Sequence, residues 1–334
     1  MVVNPLPWID ASKAHLLARC ALRWTAETTS DAASEERRTP ESTWSAATLG
    51  IQAHKALEQW ACSSQWREEN PGELLRERFH ILTASNTAGL GAARIIGSKL
   101  TARGRELADW LHANNCELLL PEEFVSDEQR RIRGGMDLVA VADHAVHIFD
   151  LKTGRGYARN RTLPESAVLQ LAVYSVLATD KWKRPAKASI LSLDSGLLDD
   201  QDHASGAAEI LVKNLEEKRA AALATPTPTA VASPDACSWC ALRCRCTVHW
   251  AAVESGVITD TVAGELERST VSANGKVSVI LSTSEGRQLV AGLDAAPNAP
   301  GGVQVAALRV NRVEGSPHVW HANGWSTIDL LDAF

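Results

Sequence analysis

No stretch of the sequence reaches the about 18 uncharged apolar residues that a bilayer-spanning helix requires. The opening residues, Met1-Val2-Val3-Asn4-Pro5, lack the basic-then-apolar order of a secretory signal, so the expected location is the cytoplasm, with no membrane partner. A basic surplus is missing as well. Thirty-four Lys and Arg stand against 40 Asp and Glu, a net charge of −6, so overall charge does not announce a nucleic-acid binder. There is no G-x-x-x-x-G-K-S/T signature of a helicase motor, and any motor would be a separate protein. The cysteines number seven, an odd count that argues against a disulfide framework.

What is present is unevenly placed. Between Arg130 and Arg161 seven basic residues (Arg130, Arg131, Arg133, Lys152, Arg155, Arg159, Arg161) face three acids, Asp137, Asp143 and Asp150. Basic groups around acidic metal ligands suit an anionic substrate, although a solvated charged surface would look the same by charge alone. Four of the cysteines, Cys237, Cys240, Cys244 and Cys246, fall within ten residues, a density that points to metal.

Periodicity divides the chain. Residues 8–27 read as a helix carrying Cys20, and Thr48–Trp60 repeats apolar residues at helical spacing. Residues 87–113 read as one or two helices broken near Gly97 or Gly104. Then the period changes: Glu117–Val125, Arg133–Ala142 and Ala145–Thr153 read as strands, with Asp143-His144 turning the hairpin between the last two. A helix from Pro164 to Leu177, a strand over Lys187–Leu193 and a helix over Ala204–Ala224 follow. The order is that of an α/β core with a mixed central sheet flanked by helices. A Pro/Thr/Ala linker covers 225–236, and beyond Gly256 four β-like stretches (Lys276–Thr283, Gln288–Leu293, Val303–Val313, His318–Ile328) suggest a small C-terminal β domain over 255–334, with an OB-like barrel as the preferred form. Trp320 and Trp325 there could offer stacking faces to single-stranded DNA, or could be core.

The chemistry concentrates in Gly134-Gly135-Met136-Asp137 and Phe149-Asp150-Leu151-Lys152-Thr153. Alternate strand residues share a face, so Asp150 and Lys152 point the same way, and the hairpin brings Asp137 beside Asp150. Two carboxylates and a lysine suit Mg²⁺ or Mn²⁺, which favour oxygen ligands. A lone D-x-K triplet arises often by chance, and His54, Gln170 or Tyr174 taken singly would be ordinary helix residues.

Together these pieces resemble the PD-(D/E)XK nucleases, and specifically the RecB-like group of the RecB and AddB nuclease domains and the CRISPR-associated RecB-like exonucleases. Asp137 and Asp150-Leu151-Lys152 are similar to the core motif, Gly50–His54 to the helical histidine motif, and Gln170–Tyr174 to the Q-x-x-x-Y helix. Glu123 resembles a further acidic position. The resemblance implies a restriction-endonuclease-like core over residues 1–250. It implies His54, Asp137, Asp150 and the Leu151 carbonyl as ligands of Mg²⁺ or Mn²⁺, Lys152 orienting the attacking water, and Gln170 and Tyr174 holding substrate or Lys152. It also implies a 4Fe–4S cluster on Cys20, Cys237, Cys240 and Cys246, with Cys244 a bystander. A zinc site on Cys237, Cys240, Cys244 and Cys246 is the other reading of the cysteines.

The expected activity is an exonuclease on single-stranded DNA or DNA ends, in repair, recombination or phage-related processing. Arg155, Arg159 and Arg161 would contact DNA, and a separate helicase or a recombination or CRISPR protein is the expected partner. Two rival classes stay open on the sequence alone: a non-catalytic iron–sulfur subunit that binds DNA, and a zinc-binding interaction protein.

Overall fold

The computed structural model describes residues 6–29, 46–84, 90–154, 163–199, 205–297 and 299–331. The chain forms two compact units, one of residues 1–18 and 26–224, the other of residues 19–25 and 225–334. The break near 225 falls within the expected linker. The cysteine-rich stretch groups with the C-terminal barrel, however, and so does the short segment holding Cys20. Local bonds explain that: Arg23 donates to the carbonyls of Ala236 (2.7 Å) and Trp239 (3.3 Å), and Leu22 N–H donates to Thr229 O (3.2 Å).

The first unit is built on a six-stranded mixed sheet. Its elements begin with β1 (Ile9–Asp10) and α1 (Ala14–Arg19), take in residues 26–29 of α2 (Ala21–Thr29), whose earlier residues belong to the second unit, and continue with α3 (Ala46–Cys62), α4 (Pro71–Thr83) and α5 (Leu90–Ala113). Strands β2 (Leu118–Asp127), β3 (Ile132–Val141) and β4 (Val146–Lys152) follow. Helix α6 (Glu165–Trp182), β5 (Ala186–Ser192), β6 (Gly196–Asp199) and α7 (Ser205–Leu223) complete it. The sheet runs β1-β3-β4-β5-β6 with β2 also on β3; β1–β3 and β4–β5 are parallel and the other pairs antiparallel. The central strands β3 and β4 are buried along most of their length, as strands covered on both faces must be. On one side Leu138, Ala140, Phe149 and Leu151 share a core with Leu49, Ala53, Trp60, Phe79 and Leu107 of α3–α5. Helix α6 packs against β2–β5 and against α7, which is why it is apolar on more than one side (Leu171, Val173, Val176 and Leu177 are all buried).

Several elements differ from expectation. The helix expected over 8–27 is broken at Cys20 into α1 and α2. Helix α5 is not broken: Gly97 and Gly104 lie where it meets α4, and a Cβ at Gly104 would stand 3.0 Å from Gly72 Cα. These glycines allow close packing rather than ending a helix. Helix α4 and strand β6 were not expected, although α4 buries Gly72, Leu75, Phe79 and Thr83 at helical spacing.

The second unit holds α8 (Pro234–Cys237), α9 (Thr247–Glu254) and five strands, β7 (Thr261–Val271), β8 (Val277–Thr283), β9 (Gly286–Leu293), β10 (Gln304–Val313) and β11 (Ser316–Leu330). They close as β10-β11-β9-β8-β7, with β9–β11 the parallel pair and β7 returning to β10. The barrel therefore has five strands where the sequence suggested four. The far half of β7 is exposed and polar, which blurs its alternation. Val279, Leu281, Val290, Val305 and Val310 fill the interior.

Candidate metal centre

The β3–β4 ladder stops at the pair Leu138–Phe149. The next pair inward would be Asp137 and Asp150. There Asp137 Oδ2 accepts the Leu151 N–H at 2.6 Å, so a side chain takes a backbone donor of the neighbouring strand. Both carboxylates thus sit where the hairpin opens, at one end of the sheet.

Groups from two further elements and from β4 itself converge. From α3, His54 Nδ1 lies 3.1 Å from Asp137 Oδ1. From β4 itself, Lys152 Nζ lies 2.6 Å from Asp150 Oδ2, on the face that strand alternation predicts. From α6, Gln170 uses one Nε2 hydrogen on Asp150 Oδ1 (3.0 Å) and the other on Tyr174 Oη (2.8 Å), and Tyr174 donates to the Gly135 carbonyl (2.6 Å). The i, i+4 spacing of Gln170 and Tyr174 puts them on one helical face, as required. They hold Asp150 and the β3 backbone. Gly134 makes this possible: a Cβ there would stand 2.7 Å from Tyr174 Cε1 and 2.9 Å from Ala11 Cβ.

The electrostatics follow from burial. Asp150 is nearly inaccessible, and loss of solvation pushes its carboxyl up to about 6; Lys152 opposes that shift and Asp137 adds to it. Burial alone would lower the His54 imidazole, yet its hydrogen bond with Asp137 and the charges of Asp137, Asp150 and Glu122 hold it above its usual value. Tyr174 is pushed up by burial and then by Asp150, so it stays a neutral donor.

Glu122 belongs to this group and sequence reasoning missed it. Ligand atoms of His54, Glu122 and Asp137 all lie within 4.8 Å of one another, the one such trio among the described residues. Alternation from Leu119, which faces α3–α5, would send Glu123 to that side. Instead Glu122 adopts a left-handed conformation (φ 49°) and is the residue that meets His54, while Glu123 pairs with Lys181 of α6. A strained non-glycine backbone in a strand is costly and found where function needs a side chain re-aimed. Burial and the Asp137 charge raise the Glu122 carboxyl.

These residues fit a hard divalent cation. Oxygen donors from Glu122 and Asp137 and a nitrogen from His54 converge, and the buried Asp150 Oδ2 has no hydrogen-bond donor in good geometry, only the Lys152 charge. Like carboxylates facing each other across strands repel unless a cation lies between them.

The expected basic strip is largely used inside the fold. Arg130 pairs with Glu216 and Glu209 of α7, Arg131 with Glu128, and Arg133 with Asp10, while Arg131 and Arg133 also cover the Trp8 ring. The three arginines expected to contact DNA, Arg155, Arg159 and Arg161, lie outside the described residues.

Of the four cysteines expected to share a centre in the second unit, Cys20 and Cys237 are buried, and Cys240 and Cys246 are partly so. Burial raises the Cys237 thiol, with the nearby charges of Cys246 and Cys20 adding to it; burial likewise raises Cys240, which senses Cys237 and Cys20. Their sulfurs do not close to 4.8 Å as a group of three. One tetrahedral zinc would need sulfur separations of roughly 3.8 Å, from Zn–S bonds of about 2.3 Å.

A mixed sheet whose opened hairpin brings carboxylates, a histidine and a lysine together is suited to holding a divalent cation. The PD-(D/E)XK nuclease superfamily profile matches residues 10–247, and the chain belongs to that superfamily, which implies metal-dependent nuclease activity with DNA as substrate. No curated protein matches the chain.

Proposed function

We propose that the protein hydrolyses DNA phosphodiester bonds at the Asp137–Asp150–Lys152 centre, acting as an exonuclease on single strands or ends. The observation that carries this reading is Lys152 Nζ at 2.6 Å from the buried Asp150, with His54 on Asp137 beside it. Mg²⁺ or Mn²⁺ held by His54, Asp137, Asp150 and the Leu151 carbonyl, with Glu122 in reach, would supply Lewis-acid activation of water and of the scissile phosphate. Lys152 orients the attacking water and offsets charge developing on the phosphate. Gln170 and Tyr174 are positioning residues: they fix the Asp150 carboxylate and tie it to the β3 backbone. Arg155, Arg159 and Arg161 supply phosphate contacts.

The motif set supports placement in the RecB-like group. The cysteine spacing alone carries the proposal of a 4Fe–4S cluster on Cys20, Cys237, Cys240 and Cys246, whose sulfurs do not come within 4.8 Å of one another as a group of three. Strand order in the barrel supports an OB-like domain. The setting is cytoplasmic DNA repair, recombination or phage-related processing, with a helicase as a separate partner.

The test is incubation of end-labelled single- and double-stranded DNA with Mn²⁺ or Mg²⁺, using wild type, Asp150→Ala and Lys152→Ala. Cleavage by the wild type alone is expected, and the fate of the label reports polarity. Equal cleavage by both variants would refute the assignment. Iron and sulfide content after anaerobic purification tests the cluster, and a colourless zinc-loaded protein would remove it.

A further inference from the structure

Trp320, one of the two tryptophans offered as a stacking face, is core: it is buried, and its Nε1 donates to Gln288 Oε1 at 3.0 Å inside the barrel. Trp325 is the opposite case, 59 % exposed. It sits on a local excursion of β11, because the ladder with β10 jumps from Leu308–Thr327 to Val310–Ala322. That excursion is tightly built. Asn323 Nδ2 (3.0 Å) and Ser326 Oγ (2.6 Å) both donate to the Arg309 carbonyl, Asn323 N–H donates to Ser326 Oγ, and Trp325 N–H donates to Asn323 Oδ1. Arg309, opposite it, is held at a positive φ of 58° and returns its guanidinium to the Trp325 carbonyl and to Thr327.

The same guanidinium lies 4.5 Å from the ring centre of Trp239, which is 48 % exposed and stands between Cys237 and Cys240. The two indoles meet at 5.7 Å with an 85° angle between planes. Other cations gather beneath: Arg23 donates to the Trp239 carbonyl, and Arg243 and Arg309 both donate to the Ser238 carbonyl. Arg243 and Arg309 are close enough that each is lowered by burial and Arg309 further by its neighbour. Asp260 and Asp329 are the acids that act on both. Leaving two large apolar rings half in water over arginines gains less for folding than burying them would. Flat apolar faces above positive charge match a polyanion with exposed aromatic bases.

We propose that Trp239 and Trp325, backed by Arg309, form a stacking platform for the bases of single-stranded DNA. The proposal extends the reading of DNA as substrate to a second contact on the chain.

The test measures binding of fluorescein-labelled oligo(dT) by anisotropy, with the full-length protein in EDTA so that no cleavage occurs. Trp325→Ala and Trp239→Ala should each weaken binding about 5- to 30-fold, Trp325→Phe should stay near wild type, and an abasic strand of equal length should be affected little. Because Trp239 adjoins the cysteines, the Trp325 variants carry the decision. Unchanged affinity in Trp325→Ala, or an equal loss on the abasic strand, would overturn the platform. So would sedimentation showing that the pair instead joins two copies, with self-association lost in Trp325→Ala. Cleavage without tryptophan-dependent binding sinks the platform and spares the nuclease; tryptophan-dependent binding without cleavage does the reverse.

Discussion

Replacing Asp150 by Asn should destroy cleavage and yet make the cation-free protein more stable. The carboxyl is nearly inaccessible and burial lifts it from 3.8 to about 6, so at alkaline pH the fold holds a charge it disfavours. At about 1.4 kcal/mol per pK unit the upper bound of that cost is about 3 kcal/mol. The new side-chain amide would still accept from Gln170 through its oxygen, but its NH2 would face the Lys152 ammonium, donor against donor, which removes about 1 kcal/mol of the gain; the Lys152 attraction itself is already contained in the raised pKa. A net gain of about 1–2 kcal/mol corresponds to a rise in Tm of about 2–6 °C. The sign of the pH dependence follows from the raised pKa. Below the unfolded value both states are protonated and the two proteins should differ little. As pH rises from about 4 to 6 the wild type loses stability relative to the variant, and above about 6 the difference should be full. Mn²⁺ should reverse the order: at 100-fold over Kd it adds about 2.7 kcal/mol to the wild type and much less to the variant. Thermal melts of both proteins from pH 4 to 8, with EDTA or Mn²⁺, read this directly. An Asp150→Asn protein that melts at or below wild type in EDTA above pH 6, or a difference that ignores pH, would refute the argument.

Four further outcomes are expected. Lys152→Ala should lower kcat by at least about 10²-fold while Mn²⁺ still stabilises the protein, measured by single-turnover cleavage and melting in parallel. Glu122→Gln should weaken Mn²⁺ binding by about 3- to 10-fold in a titration, because one of three converging ligands loses its charge. Gly134→Ala should cost about 1–3 kcal/mol in denaturant unfolding and lower cleavage, since the new methyl occupies the place of the Tyr174 ring. Trp320→Ala should destabilise the second unit by about 3–5 kcal/mol, whereas Trp325→Ala should leave its melting within about 0.5 kcal/mol of wild type.

What the sequence made legible was whatever obeys a fixed period. Asp137, Asp150 and Lys152 were readable because a hairpin places them by alternation, and the Gln170–Tyr174 pair because a helix repeats its face every four residues. Glu122 was not readable. Its φ of 49° interrupts alternation at one residue, and a one-residue change of parity exchanges the two faces of a strand. Helix α4 was missed although Gly72, Leu75, Phe79 and Thr83 are buried at helical spacing, and strand β7 because alternation holds only over Val262, Gly264 and Leu266 before the strand becomes exposed. The fates of Trp320 and Trp325 were equally hidden, because both lie on β11 and only the excursion at 323–326 turns one outward.

The left-handed Glu122, the opened Asp137–Asp150 pair and the buried Asp150 are consequences of one design. Ordinary strand pairing would have satisfied the backbone and kept the carboxylates apart. Here the ladder stops, Asp137 takes the Leu151 amide, Tyr174 takes the Gly135 carbonyl, and Gln170 locks Asp150, so every freed backbone group named here has a side-chain partner. What remains unbalanced is charge: three carboxylates against one lysine and one imidazole, in a site where burial strengthens their mutual repulsion. Hydrogen bonds within the fold cannot relieve that excess, but a divalent cation can, and the stabilisation it gives on binding is the stability the empty site forgoes. The same residues therefore should govern both how tightly the cation is held and how much the cation-free fold is weakened, which is why the Asp150→Asn melt and the cleavage assay ought to move in opposite directions.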